Sequence, residues 1–166
     1  MRFGIAAAAA ALCFLSLNVT PAGAQAGGEA PSFLSLRGEG ANGRRGPGTE
    51  HRIDWIYQRA GLPMMVTGES GPWRRVRDPD GAETWMHMQN LEARQTGYVR
   101  AASALRHQPR ANSGVKAELE PGVIGALTGC ENGFARLAVR GRVGWVEAAA
   151  IWGAETCAGQ AHMASR

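Results

Sequence analysis

Few side chains in this 166-residue sequence are placed where they could perform chemistry as a group. The four histidines are scattered, and no serine or cysteine nucleophile stands in a motif beside a base. Asp78 and Asp80 lie in a turn, where aspartate is favoured for backbone reasons. Glu118 and Glu120 alternate along a polar strand face. We therefore predict no enzymatic activity, no catalytic residues and no cofactor.

Trp73 is the side chain best suited to binding. It follows Gly71-Pro72 at the exit of a turn, and strand alternation places it on the face opposite Val76, which we expect in the core. An indole there can stack on a sugar ring or a peptide, and its N–H can donate a hydrogen bond. The alternative is a structural residue that half covers the core, and the residues alone leave both interpretations open.

The N-terminus has the pattern of a Sec-type secretory signal. Arg2 precedes an apolar run from Ile5 to Leu17, and the small residues Ala22-Gly23-Ala24 favour cleavage after Ala24. The run is short for a membrane span, although an uncleaved N-terminal anchor is the alternative. We predict a periplasmic or secreted protein that begins at Gln25 and has no membrane span after cleavage.

Charge and cysteine content restrict the partners further. The net charge of +4, supplied almost entirely by arginine, suits polyanionic envelope surfaces. No basic run exceeds two residues, which argues against nucleic acid.

Cys130 and Cys157 form an even pair typical of a disulfide, worth about 3 kcal/mol, with two unpaired core thiols as the alternative. No Cys/His cluster has zinc-ligand spacing, so we predict no metal site.

Two β-hairpins organise the chain. In the first, Trp73–Arg77 and Thr84–Met86 flank a turn in which Gly81 is free to adopt a positive φ. In the second, Phe134–Val139 and Gly144–Val146 flank a turn at 140–141. The hairpins belong to an internal repeat, offset by 61 residues before the turn and 60 after it. The matched pairs are Gly61/Gly122, Thr67/Thr128, Gly68/Gly129, Trp73/Phe134, Arg75/Arg136, Val76/Leu137, Gly81/Gly141 and Trp85/Trp145.

The repeat predicts two all-β units, residues 33–95 and 98–153. Units this small are marginal alone, so we expect them to pack on each other or the second to depend on a disulfide. Short apolar or alternating segments predict the other strands: Phe33–Leu36, Ile53–Tyr57, Gly61–Thr67, Tyr98–Val99, Ala104–Arg106, Val115–Leu119, Gly122–Thr128 and Ile151–Trp152. Glycine-rich composition predicts a loop over 38–48 and turns over 68–72 and 129–133, and we expect 154–166 to form a loose tail apart from Cys157.

Several motifs resemble the bacterial SH3 module. They are G-P-W-x-x-V at 71–76, D-G-x-x-x-W-M-H-x-x-x-L at 80–91, and 42–49, which is similar to the family's N-L-R-x-G-P-G-T signature. Gly43 departs from that signature, which has an apolar residue there, and the second unit has Phe134 in place of tryptophan. Over 33–152 the chain resembles exported two-unit SH3-like proteins of Gram-negative bacteria.

The resemblance implies an all-β fold of two tandem small SH3-like barrels, each of five strands, after a cleaved N-terminal signal peptide. It also implies a shallow groove beside the long first loop. The ligand-binding residues that it implies are Trp73 on the groove, His87 and Asn90 at its far side, and Arg44 and Arg45 on the rim. We add Tyr57, which alternation places either on this rim or in the core. The second unit has Phe134, Glu147 and Ala150 at the corresponding positions, so we expect binding by the first unit.

The functional prediction is a non-enzymatic module of the cell envelope that binds a peptidoglycan stem peptide, its cross-bridge or a glycan. The alternative is an adaptor that recruits a periplasmic protein to an assembly. A purely structural unit is the third hypothesis, since fold-level likeness often does not carry function.

Overall fold

Two antiparallel sheets of seven strands each make up the structure. The computed structural model of the protein describes residues 32–160. The predicted signal peptide, residues 1–24, lies outside the described residues. The all-β fold of two tandem SH3-like units is confirmed, although each sheet has seven strands and not five. The difference arises because the short strands at either end of each unit also join its sheet.

The first unit contains strands β1 to β7. They are β1 (Phe33–Leu36), β2 (Ala41–Arg44), β3 (Ile53–Tyr57), β4 (Pro63–Ser70), β5 (Trp73–Arg77), β6 (Glu83–His87) and β7 (Leu91–Glu92), with a 3₁₀ turn at Met88–Asn90. Their order in the sheet is β3-β2-β6-β5-β4-β1-β7, which puts β3 at one edge.

The second unit repeats this arrangement element by element. Its strands are β8 (Thr96–Val99), β9 (Ser103–Arg106), β10 (Val115–Leu119), β11 (Ile124–Glu131), β12 (Phe134–Val139), β13 (Arg142–Glu147) and β14 (Ile151–Trp152), with a 3₁₀ turn at Ala148–Ala150. Their order is β10-β9-β13-β12-β11-β8-β14, so β10 occupies the edge that β3 occupies in the first unit.

The turns of the two central hairpins differ in length. Between β5 and β6 the chain uses residues 78–82, and the Asp78 carboxylate accepts the backbone N–H groups of Asp80 and Ala82 at 3.0 and 2.9 Å. Between β12 and β13 only Arg140 and Gly141 intervene, with φ values of 48° and 79°. Two successive positive φ values match the twist of the flanking strands, which is why so short a turn is possible.

Two predictions about loops and turns were wrong. The glycine-rich segment 38–48 contains β2, which forms because its backbone pairs with β3 and β6 although its residues have low strand propensity. The predicted turns over 68–72 and 129–133 are shorter, because β4 continues to Ser70 and β11 to Glu131. The real turns use Gly71 and Gly133, both at positive φ.

Each unit has its own apolar core. The first contains Leu36, Ala41, Leu62, Met64, Val76, Met86 and Leu91. The second contains Val99, Leu105, Leu119, Ala135, Leu137, Val139, Val146, Ala148, Ile151, Ala154 and Cys157. The hairpin strands contribute alternate residues to each core, as a period of two requires.

The two units pack on each other, as expected for units of this size. Tyr98 and Ile124 of the second unit pack against the core of the first. The buried indole N–H of Trp152 donates to the carbonyl of Pro63 at 2.9 Å, and the Trp152 and Phe33 rings meet edge to face with centroids 5.3 Å apart. A core of one unit is therefore completed by residues of the other.

The prediction of a loose tail was wrong for the part that the structure describes. A short helix, α1 (Glu155–Gln160), follows the second unit, and Ala154 and Cys157 are buried in that unit's core. Cys157 forms the predicted disulfide with Cys130 on β11, with Cα atoms 5.0 Å apart. The disulfide and the apolar contacts of Ala154 together hold this segment. Among residues 32–160, no helix has the length and apolar character needed to cross a membrane.

Candidate functional site

A groove in the first unit collects four of the six residues predicted to bind ligand. It encloses about 310 Å³ and lies among β2, the long loop that follows it, β5, β6 and the 3₁₀ turn. Its lining residues are Asn42, Arg44, Thr49, Trp73, His87, Gln89 and Asn90. The side chains offer one large aromatic surface and several hydrogen-bonding groups, so the groove is more polar than most small-molecule pockets.

Trp73 and His87 form the aromatic side of the groove. They are directly opposed in the register of β5 and β6, and their rings meet edge to face with centroids 5.3 Å apart and an interplanar angle of 88°. Both are partly buried, whereas Val76 on the opposite face of β5 is fully buried. The alternation that separates Trp73 from the core therefore holds in the structure.

His87 also begins the 3₁₀ turn that carries the polar side of the groove. Its Nδ1 accepts the backbone N–H of Gln89 at 3.2 Å, so a neutral imidazole in this arrangement carries its proton on Nε2. The turn ends at Asn90, whose backbone carbonyl accepts the N–H of Arg37 at 2.9 Å. These bonds fix the backbone from which the Gln89 and Asn90 amides project.

Arg44 holds the long loop in place. Its Nη1 donates to the carbonyls of Thr49 and His51 at 2.8 and 2.6 Å. The equivalent Arg106 donates through Nη1 to the carbonyl of Ser113 at 2.9 Å. The arginine of the signature is thus a loop-positioning residue in both units, a role that the sequence did not indicate.

Arg45 and Tyr57, also predicted as binding residues, lie outside the groove. Arg45 is exposed, and its Nε donates to Asp54 at 3.1 Å. The hydrogen bond from Arg52 lowers the pKa of Asp54, burial opposes it, and the hydrogen bond and charge of Arg45 lower the pKa further. The Tyr57 hydroxyl donates to Asp78 at 3.1 Å and the side chain packs against the core, so it points inward and not toward the rim.

Asn42, Thr49 and Gln89 line the groove but were not predicted. Asn42 lies two residues before Arg44 on β2, so strand alternation could have placed both on one face. Gln89 adjoins Asn90 in the 3₁₀ turn. Thr49 had no signal of its own, because its place in the loop depends on the Arg44 hydrogen bond.

The second unit has a smaller counterpart of this groove. It encloses about 170 Å³ and is lined by Ala102, Ser103, Ala104, Arg106 and Glu147. Glu147 stands where the first unit has His87, and Phe134, which replaces Trp73, is buried. The counterpart therefore lacks the exposed aromatic surface of the first groove.

No cluster of metal-ligating side chains occurs in the described part of the chain. Among residues 32–160, no three His, Cys, Asp or Glu side chains lie close enough together to hold a metal ion. His51 contacts Glu50 at 3.3 Å on the exposed long loop, and His107 is exposed on the equivalent loop of the second unit. The arrangement is suited to recognition by stacking and hydrogen bonding.

Two tandem all-β units with a long loop over a lateral groove define an SH3-like protein. The family model for the bacterial SH3 domain matches residues 37–92 and 97–153, and the chain belongs to that family. Domains of this family are typically binding modules. The family and the disulfide together indicate a location outside the cytoplasm.

Two solved structures illustrate the wider comparison. NlpC2 and NlpC1 from Trichomonas vaginalis are each 17% identical to the chain, with TM-scores of 0.32 and 0.31. Each alignment covers 74% of this chain and 48% or 46% of the other, so the chain spans about half the length of these structures. No curated protein matches the chain.

Proposed function

We propose that the groove of the first unit binds peptidoglycan, through a stem peptide, its cross-bridge or a glycan, and that the protein is a non-enzymatic module of the cell envelope. The observation that carries the proposal is the convergence of Trp73, His87, Asn90 and Arg44 around one groove. Membership of the bacterial SH3 family supports a binding role.

The groove offers the kinds of contact that such ligands need. The indole of Trp73 supplies a surface for a sugar ring or an apolar peptide segment. The Nε2–H of His87 and the amides of Gln89 and Asn90 supply groups that can fix the orientation of hydroxyls or peptide units. A groove this small and open favours weak binding, which becomes useful on a polymer that repeats its ligand many times.

The proposed location is the periplasm or the exterior of the cell. It rests on the N-terminal signal pattern and agrees with the disulfide between Cys130 and Cys157. The net charge of +4, which becomes +3 when Arg2 is removed with the signal peptide, favours accumulation near anionic wall polymers.

An adaptor function is the second candidate, and a different surface favours it. Trp55 and Ile56 on the edge strand β3 are 54% and 60% exposed, and Ile53 is 39% exposed. Trp55 and Ile56 are adjacent residues that point to opposite faces of β3, so the feature is an exposed apolar edge strand, which is typical of protein contacts. They lie outside the groove, so the two candidates can be tested independently.

The test is retention of the purified protein on isolated peptidoglycan sacculi. Trp73→Ala is compared with the wild type, and Trp55→Ala is the matched control because it removes an exposed tryptophan outside the groove. Thermal melting and dispersed amide NMR spectra verify that both variants fold. We expect sacculi to retain the wild type and Trp55→Ala but not Trp73→Ala.

The other outcomes separate the hypotheses. Equal retention of all three proteins would show that Trp73 does not contribute to wall binding. Loss of retention with Trp55→Ala alone would show that the wall binds at β3 and not in the groove. If sacculi retain none of the proteins, the envelope-binding proposal fails, and cross-linking in periplasmic extracts with and without Trp55→Ala then tests the adaptor.

A further inference from the structure

A second pocket lies at another site of the second unit. It encloses about 460 Å³ between the edge strand β10 and the turn that joins β12 to β13. Its lining residues are Leu105, Ala117, Glu118, Leu119, Glu120, Val123, Val139, Arg140 and Arg142. None of them lines the groove of the first unit or its smaller counterpart.

The equivalent space in the first unit is occupied by the chain itself. Sheet register places Tyr57 where the second unit has Leu119, and Asp78 where it has Val139. The Tyr57 hydroxyl donates to Asp78 at 3.1 Å. Replacement of this hydrogen-bonded pair by two aliphatic residues removes an aromatic ring from the second unit and leaves an apolar pocket floor.

The shorter hairpin turn contributes to the opening. In the first unit, residues 79–81 form the turn at this end, held by the bonds from the Asp80 and Ala82 N–H groups to Asp78. In the second unit, the equivalent turn at Arg140 and Gly141 is one residue shorter. The shorter turn and the replacement of the tyrosine therefore both lie at the pocket of the second unit.

The rim carries charge of both signs. Arg140 is exposed on the turn and Arg142 at the start of β13, and Glu118 and Glu120 are exposed along and just beyond β10. Within the described part of the chain, none of these four side chains forms an ion pair. A ligand with an acidic group on one side and a basic group on the other would complement both sides of the rim.

We propose that this pocket receives an aromatic side chain of a partner peptide, tyrosine above all, flanked by an acidic and a basic residue. The space that Tyr57 fills in the first unit indicates the ring, and the two sides of the rim indicate the flanking charges. Because β10 is an edge strand paired only with β9, an extended peptide can lie along it while its ring enters the pocket.

The probe is the capped tripeptide acetyl-Glu-Tyr-Lys-amide, titrated into the ¹⁵N-labelled protein expressed from the full chain. Acetyl-Glu-Ala-Lys-amide and acetyl-Gln-Tyr-Gln-amide are the matched probes for the ring and the charges. We expect the first probe to shift amide resonances of β10 and of residues 140–142 with saturation, and both matched probes to bind about tenfold more weakly.

Two variants test the geometry. Leu119→Tyr with Val139→Asp installs the pair found in the first unit, and we expect it to abolish the shifts. The double variant Arg140→Asn, Arg142→Gln removes the rim cations and should weaken binding about tenfold. Asparagine tolerates the positive φ of position 140, so this variant still tests the proposal if the first variant fails to fold. Trp73→Ala should leave binding unchanged, which separates this site from the proposed wall-binding groove.

Several results would overturn the proposal. They are the absence of shifts at millimolar probe, equal shifts with the alanine probe, and undiminished binding by the arginine double variant. Shifts confined to the groove of the first unit would likewise refute it.

Discussion

Gly43 on β2 faces Thr84 on β6 so closely that a Cβ atom on Gly43 would lie 2.7 Å from the Thr84 Oγ1. The equivalent residues of the second unit are Leu105 and Gly144, and there a Cβ atom on Gly144 would lie 2.7 Å from the Leu105 Cγ. The space between these two strands is filled by Thr84 of β6 in the first unit and by Leu105 of β9 in the second. The departure of Gly43 from the family signature is thus compensated by a larger residue across the sheet.

This exchange predicts strong coupling between Gly43 and Thr84. Gly43→Ala should cost about 1–3 kcal/mol of unfolding free energy, because Tyr57 also lies 3.0 Å from the added atom. Thr84→Gly in the same chain should recover part of that loss, giving a coupling energy of about 1 kcal/mol or more. Urea unfolding of the four proteins in the cycle measures it. Additive effects of the two substitutions would contradict the structural explanation.

Arg44 should control the order of the loop over the groove. Arg44→Ala removes the donor to the carbonyls of Thr49 and His51, so amide hydrogen exchange over 45–52 should accelerate by about tenfold or more. Arg45→Ala is the matched control, because it removes an exposed arginine from the same loop without these bonds. Similar acceleration in both variants would mean that charge, and not the carbonyl contacts, orders the loop.

Trp152 should stabilise the whole chain through the junction of the units. Trp152→Phe keeps an aromatic ring but leaves the buried Pro63 carbonyl without its donor, at a cost of about 1–3 kcal/mol. Trp55→Phe, at an exposed position, should change the unfolding free energy by less than about 0.5 kcal/mol. Calorimetry of wild type and variants should show one transition. Two separate transitions in the wild type would show that the units unfold independently.

Tyr57 should make stability fall at high pH. Burial, reinforced by the Asp78 carboxylate, raises the pKa of Tyr57 from 10.0 to about 12. The folded protein therefore holds the phenol proton more tightly than the unfolded chain, and this stabilisation is lost as pH rises from about 10 through about 12. Tyr57→Phe should show a shallower decline in melting temperature over this range than the wild type. A Tyr57→Phe slope equal to the wild-type slope would argue against the assignment.

The repeat, the two hairpins and most strands were predictable because their signals are local. Gly81 and Gly141 mark the turns, and Val76 and Leu137 mark the faces that enter the cores. Alternation from Val76 also predicted that Trp73 would lie on the other face. These features need no knowledge of distant contacts.

The errors fall where tertiary contacts decide the structure. β2 has the sequence Ala-Asn-Gly-Arg, which is a strand only because β3 and β6 pair with it. The helix at Glu155–Gln160 is too short for a periodic pattern, and burial of Ala154 and Cys157 fixes its position. The inward orientation of Tyr57 depends on Asp78, which is 21 residues away in sequence.

The pairing of the units through Trp152 and Pro63 has a consequence for how the protein can evolve. In a homodimer, one substitution changes both copies of a surface at once. Here each half is separately encoded, so Trp73 and Phe134 can diverge while the buried contacts keep the halves together. A duplicated module of this kind permits division of labour: one half can keep an ancestral specificity while its sibling acquires a different one.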